Sequence, residues 1–276
     1  MPELPEVETV RKSLEATIIG KTIESVEILW SKIIKLPEDP SEFAVRVSGQ
    51  TIRRMGRRGK FLLFYLDTDV LVSHLRMEGK YGIHLESEPL GKHEHVLFHF
   101  SDGTDLRYKD VRKFGTMHLF AIGSEFDFPP LVDVGPEPFS GEYTFQHLKK
   151  SLKKTNRQIK PALLDQKIVT GLGNIYVDET LFRSGVHPER ICSSLSDKEI
   201  RRIHEESVKT LFEAVEAGGS SVRSYVNSLG EIGLFQLQIQ VYGRVGQPCV
   251  NCGTELEKFR VGGRGTTICP KCQKKK

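Results

Sequence analysis

Two groups of residues in this chain have the types and spacing that chemistry needs, and they lie at its opposite ends. The first is the opening, MPELPEVETV. A proline at position 2 is small enough for Met1 to be removed by a methionine aminopeptidase, which would leave Pro2 with a free secondary amine. An α-amino group has a pKa of about 7.7–8.0, against about 10.4 for an ordinary lysine, so a useful fraction is neutral near neutral pH. Such an amine attacking a sugar carbon gives an iminium, a fixed cation that acts as an electron sink in the manner of a lysine Schiff base. Glu3 and Glu6 stand beside it, three residues apart and so on neighbouring positions of one helical face. A carboxyl there could protonate a sugar oxygen or move protons during an elimination. The plainer use of the same residues is structural: proline and glutamate are favoured in a first helical turn through geometry and the helix dipole. Residue physics alone leaves both readings open.

The second group is Cys249-x2-Cys252 and Cys269-x2-Cys272, separated by sixteen residues. Each pair fits a tight turn that lets two thiolates reach one tetrahedral ion at about 2.3 Å, a strong zinc signal. Four sulfurs close the coordination shell, so the expectation is one structural Zn2+ per chain. Cys192 lies far away and reads as a simple thiol. Between the pairs, Val261-Gly262-Gly263-Arg264-Gly265-Thr266 reads as a hairpin tip that can approach another surface closely. The Arg264 guanidinium suits phosphate, and an ordinary basic turn fits the spacing equally well.

Elements must hold these groups in place. The 276 residues allow one large or two modest domains. With 38% hydrophobic and 28% charged residues the composition is that of a soluble globular protein. The net charge of +4 says less than its distribution. Ile52–Lys60 holds Arg53, Arg54, Arg57, Arg58 and Lys60 without an acid, and the last nineteen residues hold Lys258, Arg260, Arg264, Lys271, Lys274, Lys275 and Lys276 without one. Clusters of this kind fit a polyanion-binding face, or more simply a solvated surface. No apolar stretch reaches the roughly 20 residues of a membrane span, and the opening lacks a signal-peptide core. A cytoplasmic protein is expected, in which five cysteines argue for metal or free thiols over disulfides.

Val7, Val10, Leu14 and Ile18 recur at helical spacing, which predicts a helix over 4–19 stopped by Gly20. From Thr22 to about Ala121 the pattern is strand-like, with one helix near Ser41–Val47: a β-sandwich or barrel-like domain with the first helix packed on it. The proline-rich stretch Phe128–Pro138 reads as a linker. Helices are expected over 145–153, 160–164, 174–183 and 197–217, the last with Ser196 and Glu199 as a capping box. Two glycines within Gly171–Asn174, just before a helix start, make an anion-binding N-terminus. A Gly/Ser-rich segment, Gly218–Gly233, precedes the cysteine-bearing β module. The expected class is α+β: an N-terminal β-sandwich domain with a packed helix (1–130), a helical domain (131–237) and a C-terminal zinc finger (238–276).

The chain resembles formamidopyrimidine-DNA glycosylase over essentially its whole length. The resemblance rests on PELPEVETV, on Arg58-Gly59-Lys60-Phe61, and on the run from Ser73 to Gly79. It continues through Lys92-His93-Glu94-His95, the run from Tyr108 to Gly115, Leu164-Asp165-Gln166, Gly171 to Tyr176, and the cysteine module. It implies a base-excision-repair enzyme that removes oxidised purines, 8-oxoguanine and formamidopyrimidines, from double-stranded DNA. Apurinic/apyrimidinic lyase activity by β,δ-elimination through a Pro2 Schiff base goes with it. Pro2 would attack C1′, and Glu3, with Glu6 beside it, would serve proton transfer. Lys60 would assist β-elimination and hold phosphate, and Arg264 would act in the δ-elimination. The target nucleotide must leave the duplex. Met77, Arg112 and Phe114 match the residues that fill the void: a flexible filler, a donor fork for the unpaired base and a wedge. His74, His93, Lys160, Asn174 and Tyr242 would contact DNA. The helical half would be a helix–two-turn–helix, and Gly218–Gly233 a lesion-recognition loop. A monomer is expected, nucleoid-associated when bound to DNA.

Thr267-Ile268 depart from the histidine or aromatic and the phenylalanine often found before the third cysteine, and Val222 lies at a variable position. Two other functions fit parts of the sequence. An endonuclease VIII-like enzyme of the same fold, acting on oxidised pyrimidines, usually has glycine where this chain has Leu4 and usually lacks the Met77/Arg112/Phe114 set. A non-catalytic zinc-ribbon DNA-binding protein would need no free Pro2 amine.

Overall fold

The computed structural model describes residues 1–220 and 233–275. It divides into two compact units, Met1–Asp133 with Gly218–Gly233, and Val134–Ala217 with Leu234–Lys276. No helix among the described residues is long and apolar enough to cross a membrane.

The first unit opens with α1 (Leu4–Ile18), whose buried Leu4, Val7, Val10, Leu14 and Ile18 follow the expected helical period. Just past its C-cap, Gly20 takes φ 83°, where a side chain would be strained. The strands form two sheets. One has the order β1 (Ile23–Ile28), β7 (Glu94–Phe100), β8 (Thr104–Lys109), β6 (Lys80–Leu85). The other runs β2 (Ile34–Leu36), β9 (Thr116–Ala121), β5 (Asp69–His74), β4 (Phe61–Tyr65), β3 (Arg54–Arg58). One hydrophobic core joins both sheets to α1 and to α2 (Pro40–Val47): Val10, Phe43, Phe64, Leu71, Phe98 and Leu106 all belong to it. Full burial of each such side chain stabilises the fold by about 1.5–3 kcal/mol. This is the expected sandwich with its packed helix.

The basic run does not face outward as a block. It forms β3 and the turn after it, and several of its cations have partners inside the molecule. Arg57 Nε lies 3.0 Å from Glu8 on α1, Arg53 Nε 2.6 Å from Asp67, and the Arg54 guanidinium 3.5 Å from the centroid of the Tyr65 ring. The pairing register then sets one end of the five-stranded sheet. Arg58 opposes Phe61, so Gly59-Lys60 is a two-residue hairpin turn, with Gly59 at φ 56°. Phe61 opposes His74, and His74 opposes Thr116. Lys60, His74 and the loop that ends at Gly115 therefore share one sheet edge.

The second unit holds α3 (Phe145–Lys153), α4 (Ile159–Leu163), α5 (Asn174–Ser184) and α6 (Asp197–Glu216). The capping box of α6 is present, the Ser196 hydroxyl accepting from Glu199 N and the Glu199 carboxylate from Ser196 N. The hairpin β10 (Glu257–Val261)–β11 (Arg264–Ile268) belongs to the same unit. The division thus differs from 1–130, 131–237 and 238–276. The zinc finger is not a separate body because α4 and α5 hold it. Gly218–Gly233 group with the first unit, where the Ser220 N–H bonds to Glu6. Residues 221–232 of the expected recognition loop, including Val222, lie outside the described residues.

Candidate functional site

In the first unit, Pro2 is buried at the foot of α1 and Glu3 is the N-cap, only 3% exposed. The Glu3 N–H donates to Glu6 Oε2 at 2.8 Å, and Glu6 Oε1 accepts from Ser220 N at 2.7 Å. Both Glu6 oxygens thus hold backbone N–H groups. Glu6 therefore fixes the helix start and the chain at Ser220, and the Glu3 carboxylate in turn accepts the Glu6 N–H in a capping box. The spacing of three could show that the two are neighbours, but not which one would be engaged by backbone from a distant segment.

At the sheet edge, Lys60 is 5% exposed in its turn. His74 closes β5 with its ring edge-on to Phe61, centroids 4.5 Å apart. Burial, with lesser effects from Arg76 and Lys60, holds its pKa down to about 3, so the imidazole is neutral. Its Nδ1 accepts from Arg76 N at 2.9 Å, which puts the proton on Nε2 and leaves His74 a neutral donor.

Met77 and Arg112, far apart in sequence, meet here. Arg112 Nη1 lies 3.0 Å from Met77 Sδ, and its guanidinium 4.7 Å from the centroid of the Phe114 ring. Met77 is 38% and Phe114 51% exposed, so the cluster presents apolar surface and a cation to solvent. The non-glycine residues with positive φ are Arg76 (52°), His93 (73°) and Lys113 (58°) among those described. Each sits in a loop that carries expected DNA-contact residues. Strain of this kind persists only where surrounding contacts enforce it, and it gathers at functional loops. For the loop after β8 the enforcing group is Asp110, fully buried. Its Oδ1 accepts from Arg112 N (3.0 Å) and its Oδ2 from Phe114 N (2.9 Å) and Gly115 N (2.8 Å). Sequence reading passed over Asp110, although an aspartate two residues before a turn is a usable signal.

In the second unit the hairpin turn is Gly262-Gly263, at φ 55° and 76°, and Arg264 is the exposed first residue of β11. A Cβ at Gly262 would lie 2.7 Å from Cγ of Pro161 in α4. On the other side of Arg264, the Gly265 carbonyl accepts from Lys160 Nζ (2.9 Å) and Asn174 Nδ2 (3.0 Å). Lys160 is wholly buried. Its ammonium also reaches Asp178 Oδ1 (2.6 Å) and the Thr266 hydroxyl (2.9 Å). Three bonds use the three N–H groups of an ammonium. The expected DNA contact by Lys160 is therefore corrected: it anchors the hairpin that bears Arg264. Asn174 opens α5 with one amide hydrogen on Gly265 and a second for another acceptor. Gln166 shapes the turn before it, donating to Leu164 and Leu172 carbonyls and accepting from Gly171 N.

Asp178 and Glu179 were also missed. Both are buried within α5, and Glu179 accepts the N–H groups of Gln240, Val241 and Tyr242, each at 2.9 Å, which places Tyr242. Adjacent acids in the otherwise apolar IYVDETLF run were the available signal. The four cysteine sulfurs lie within 4.8 Å of one another, Cys249–Cys272 at 3.9 Å and Cys252–Cys269 at 3.5 Å. Tetrahedral zinc at about 2.3 Å from each sulfur needs them roughly 3.8 Å apart, so this is a zinc site. It is structural, since sulfur fills the shell.

Comparison with known proteins bears on both units. Residues 1–117 match the family described as formamidopyrimidine-DNA glycosylase N-terminal domain, 134–226 its H2TH domain, and 246–275 a zinc finger found in FPG and IleRS. The formamidopyrimidine-DNA glycosylases of Bacillus licheniformis and Bacillus subtilis are 62% and 63% identical, each matched over 100% of both chains. Among solved structures, a Lactococcus lactis FPG mutant in complex with a Fapy-dG-containing DNA has a TM-score of 0.94 at 41% identity. It covers 99% of this chain and 100% of that one. The Lactococcus lactis protein bound to DNA with an abasic site gives 0.93 at 41%, with the same coverage.

Proposed function

The chain belongs to the formamidopyrimidine-DNA glycosylase family, and from that premise we propose that it excises oxidised purines from duplex DNA and then cuts the strand through a covalent Pro2 intermediate. The observation that carries the reading is the exposed cluster of Met77, Arg112 and Phe114 on strained loops, in the same unit as the buried Pro2–Glu3 corner. A wedge and a nucleophile are what excision of a flipped nucleotide requires.

The Pro2 nitrogen forms a bond to C1′ as the glycosidic bond breaks and the base leaves with a proton. Glu3, held at the N-cap, protonates the sugar oxygen so that the ring opens to the iminium. The cationic nitrogen acidifies the C2′ proton, whose loss expels the 3′ phosphate. A second elimination expels the 5′ phosphate. Lys60 serves the first elimination and Arg264 the second, both also neutralising phosphate charge. His74, as a neutral Nε2–H donor, and Asn174 contact the DNA backbone, with His93 and Tyr242.

Borohydride trapping tests this on duplexes containing 8-oxoguanine or an oxidised pyrimidine. A covalent adduct is expected with the purine, its mass placing the bond at the Pro2 nitrogen, and none is expected when Met1 is retained behind a tag. Trapping only with the pyrimidine would point to an endonuclease VIII-like activity. No adduct with an intact N-terminal proline would leave a non-catalytic DNA-binding protein.

A further inference from the structure

The two loops that bring Met77 to Arg112 and Phe114 rest on one oxygen atom. Tyr108, the fifth residue of β8, is fully buried, its ring 5.0 Å from that of Tyr81. Gly79 ends the loop that carries Met77, and Gly115 ends the loop that carries Arg112 and Phe114. A Cβ on either glycine would overlap the Tyr108 hydroxyl. Both backbones therefore approach the same hydroxyl as closely as a missing side chain allows.

The hydroxyl makes a long hydrogen bond, 3.5 Å, to Asp110 Oδ2, the atom that also holds Phe114 N and Gly115 N. Burial, then Tyr81 and Asp110, push the tyrosine pKa far up, so the hydroxyl stays a donor. From outside, Lys113 Nζ stands 3.8 Å from the ring of Trp30, the one tryptophan in the chain. The loop of Arg112 and Phe114 is thus gripped on its inner side by a carboxylate and on its outer side by an aromatic face.

We propose that Tyr108 and Asp110 are positioning residues that set the register of Met77 against Arg112 and Phe114, and that they govern discrimination of the base opposite the lesion. The proposal rests on the function given above. Neither group needs to touch DNA. The Tyr108 hydroxyl fixes the height of both loops, and the Asp110 carboxylate fixes the backbone from which the Arg112 fork is aimed. A register error moves the fork away from the unpaired base while leaving Pro2, Glu3 and Lys60 in place.

The test uses the full-length zinc-loaded protein and its Tyr108→Phe and Asp110→Asn variants. Single-turnover excision of 8-oxoguanine is measured opposite cytosine and opposite adenine, beside borohydride trapping on a pre-formed abasic site. An abasic sugar has no base to unstack, so trapping should fall less than excision. Loss of one buried bond predicts that the cytosine-to-adenine preference drops about tenfold in each variant. Near-ultraviolet circular dichroism and a cooperative thermal transition report whether a variant is folded. A third variant covers the case in which Asp110→Asn does not fold. Gly115→Ala should damage the preference on its own and less so in the Tyr108→Phe background, where the overlapped oxygen is gone, a non-additivity that a general loss of stability would not produce. A wild-type protein that neither excises nor traps sinks the assigned function. An active wild type whose folded variants keep the full preference, with additive Gly115→Ala effects, sinks the positioning role alone.

Discussion

The Glu6 carboxylate accepts a hydrogen bond of 2.7 Å from the backbone N–H of Ser220, 214 residues further along the chain. Its other oxygen holds the N–H of Glu3. Glutamine at position 6 keeps one acceptor and turns an NH2 toward the other N–H. A buried mismatch of this kind costs about 1–3 kcal/mol. Glu6→Gln is expected to slow adduct formation about tenfold without moving either limb of the pH–rate profile. Glu3→Gln, by contrast, should remove the limb due to the acid. A displaced limb in Glu6→Gln would return that residue to proton transfer.

Lys160 and Asp178 form an ion pair at 2.6 Å, both side chains fully buried. Removing one partner strands the other charge, at a cost of about 3–5 kcal/mol, whereas an apolar pair of similar volume is near neutral. Lys160→Met should lower Tm sharply, and Lys160→Met with Asp178→Leu should recover much of the loss. DNA affinity measured against salt provides the second check. A lysine on phosphate contributes about one unit to the log–log slope. The folded double variant is expected to keep the wild-type slope, and a slope reduced by one would put Lys160 back on the DNA.

His74 has its pKa lowered from 6.5 to about 3, chiefly by burial. Between these values the unfolded chain binds a proton that the folded one does not, so stability rises with pH through that window and is complete above 6.5. His118, lowered to about 4 by burial and then by Lys35 and Arg76, adds in the same direction. Imidazole nitrogen shifts should show His74 neutral, with the proton on Nε2, down to about pH 5. A His74 that titrates near about pH 6.5 would mean that it is solvated and cationic when it meets phosphate.

Metal analysis should return one zinc per chain. Strong chelation should release it and expose Cys249, Cys252, Cys269 and Cys272 to a thiol reagent. Cys192 should stay unreactive until the protein unfolds, because burial pushes its thiol up to about 11. DNA binding should fall with zinc loss, since the ion closes the module whose hairpin carries Arg264. Full binding by zinc-free protein would separate the hairpin from DNA contact.

The sequence by itself determined the elements and the metal site. Periodic apolar residues placed α1 and the Ser196–Glu199 box placed the start of α6, because each depends on contacts within a few residues, and two C-x2-C pairs named the ion, because each pair is a local turn that aims two thiolates at one metal. Tertiary structure alone decided what the charged residues do. Lys60 and Lys160 are the same residue type, and only the fold puts Asp178, the Gly265 carbonyl and Thr266 around the second. Glu3 and Glu6 share a local capping box, and only the fold brings the backbone N–H of residue 220 to Glu6. Asp110 before a turn and Glu179 in an apolar run stand out in the sequence, but only chain folding supplies the backbone donors that enclose them. Periodicity records which face of an element is buried. The fate of a buried charge depends on partners brought from far along the chain, and local spacing carries no record of them.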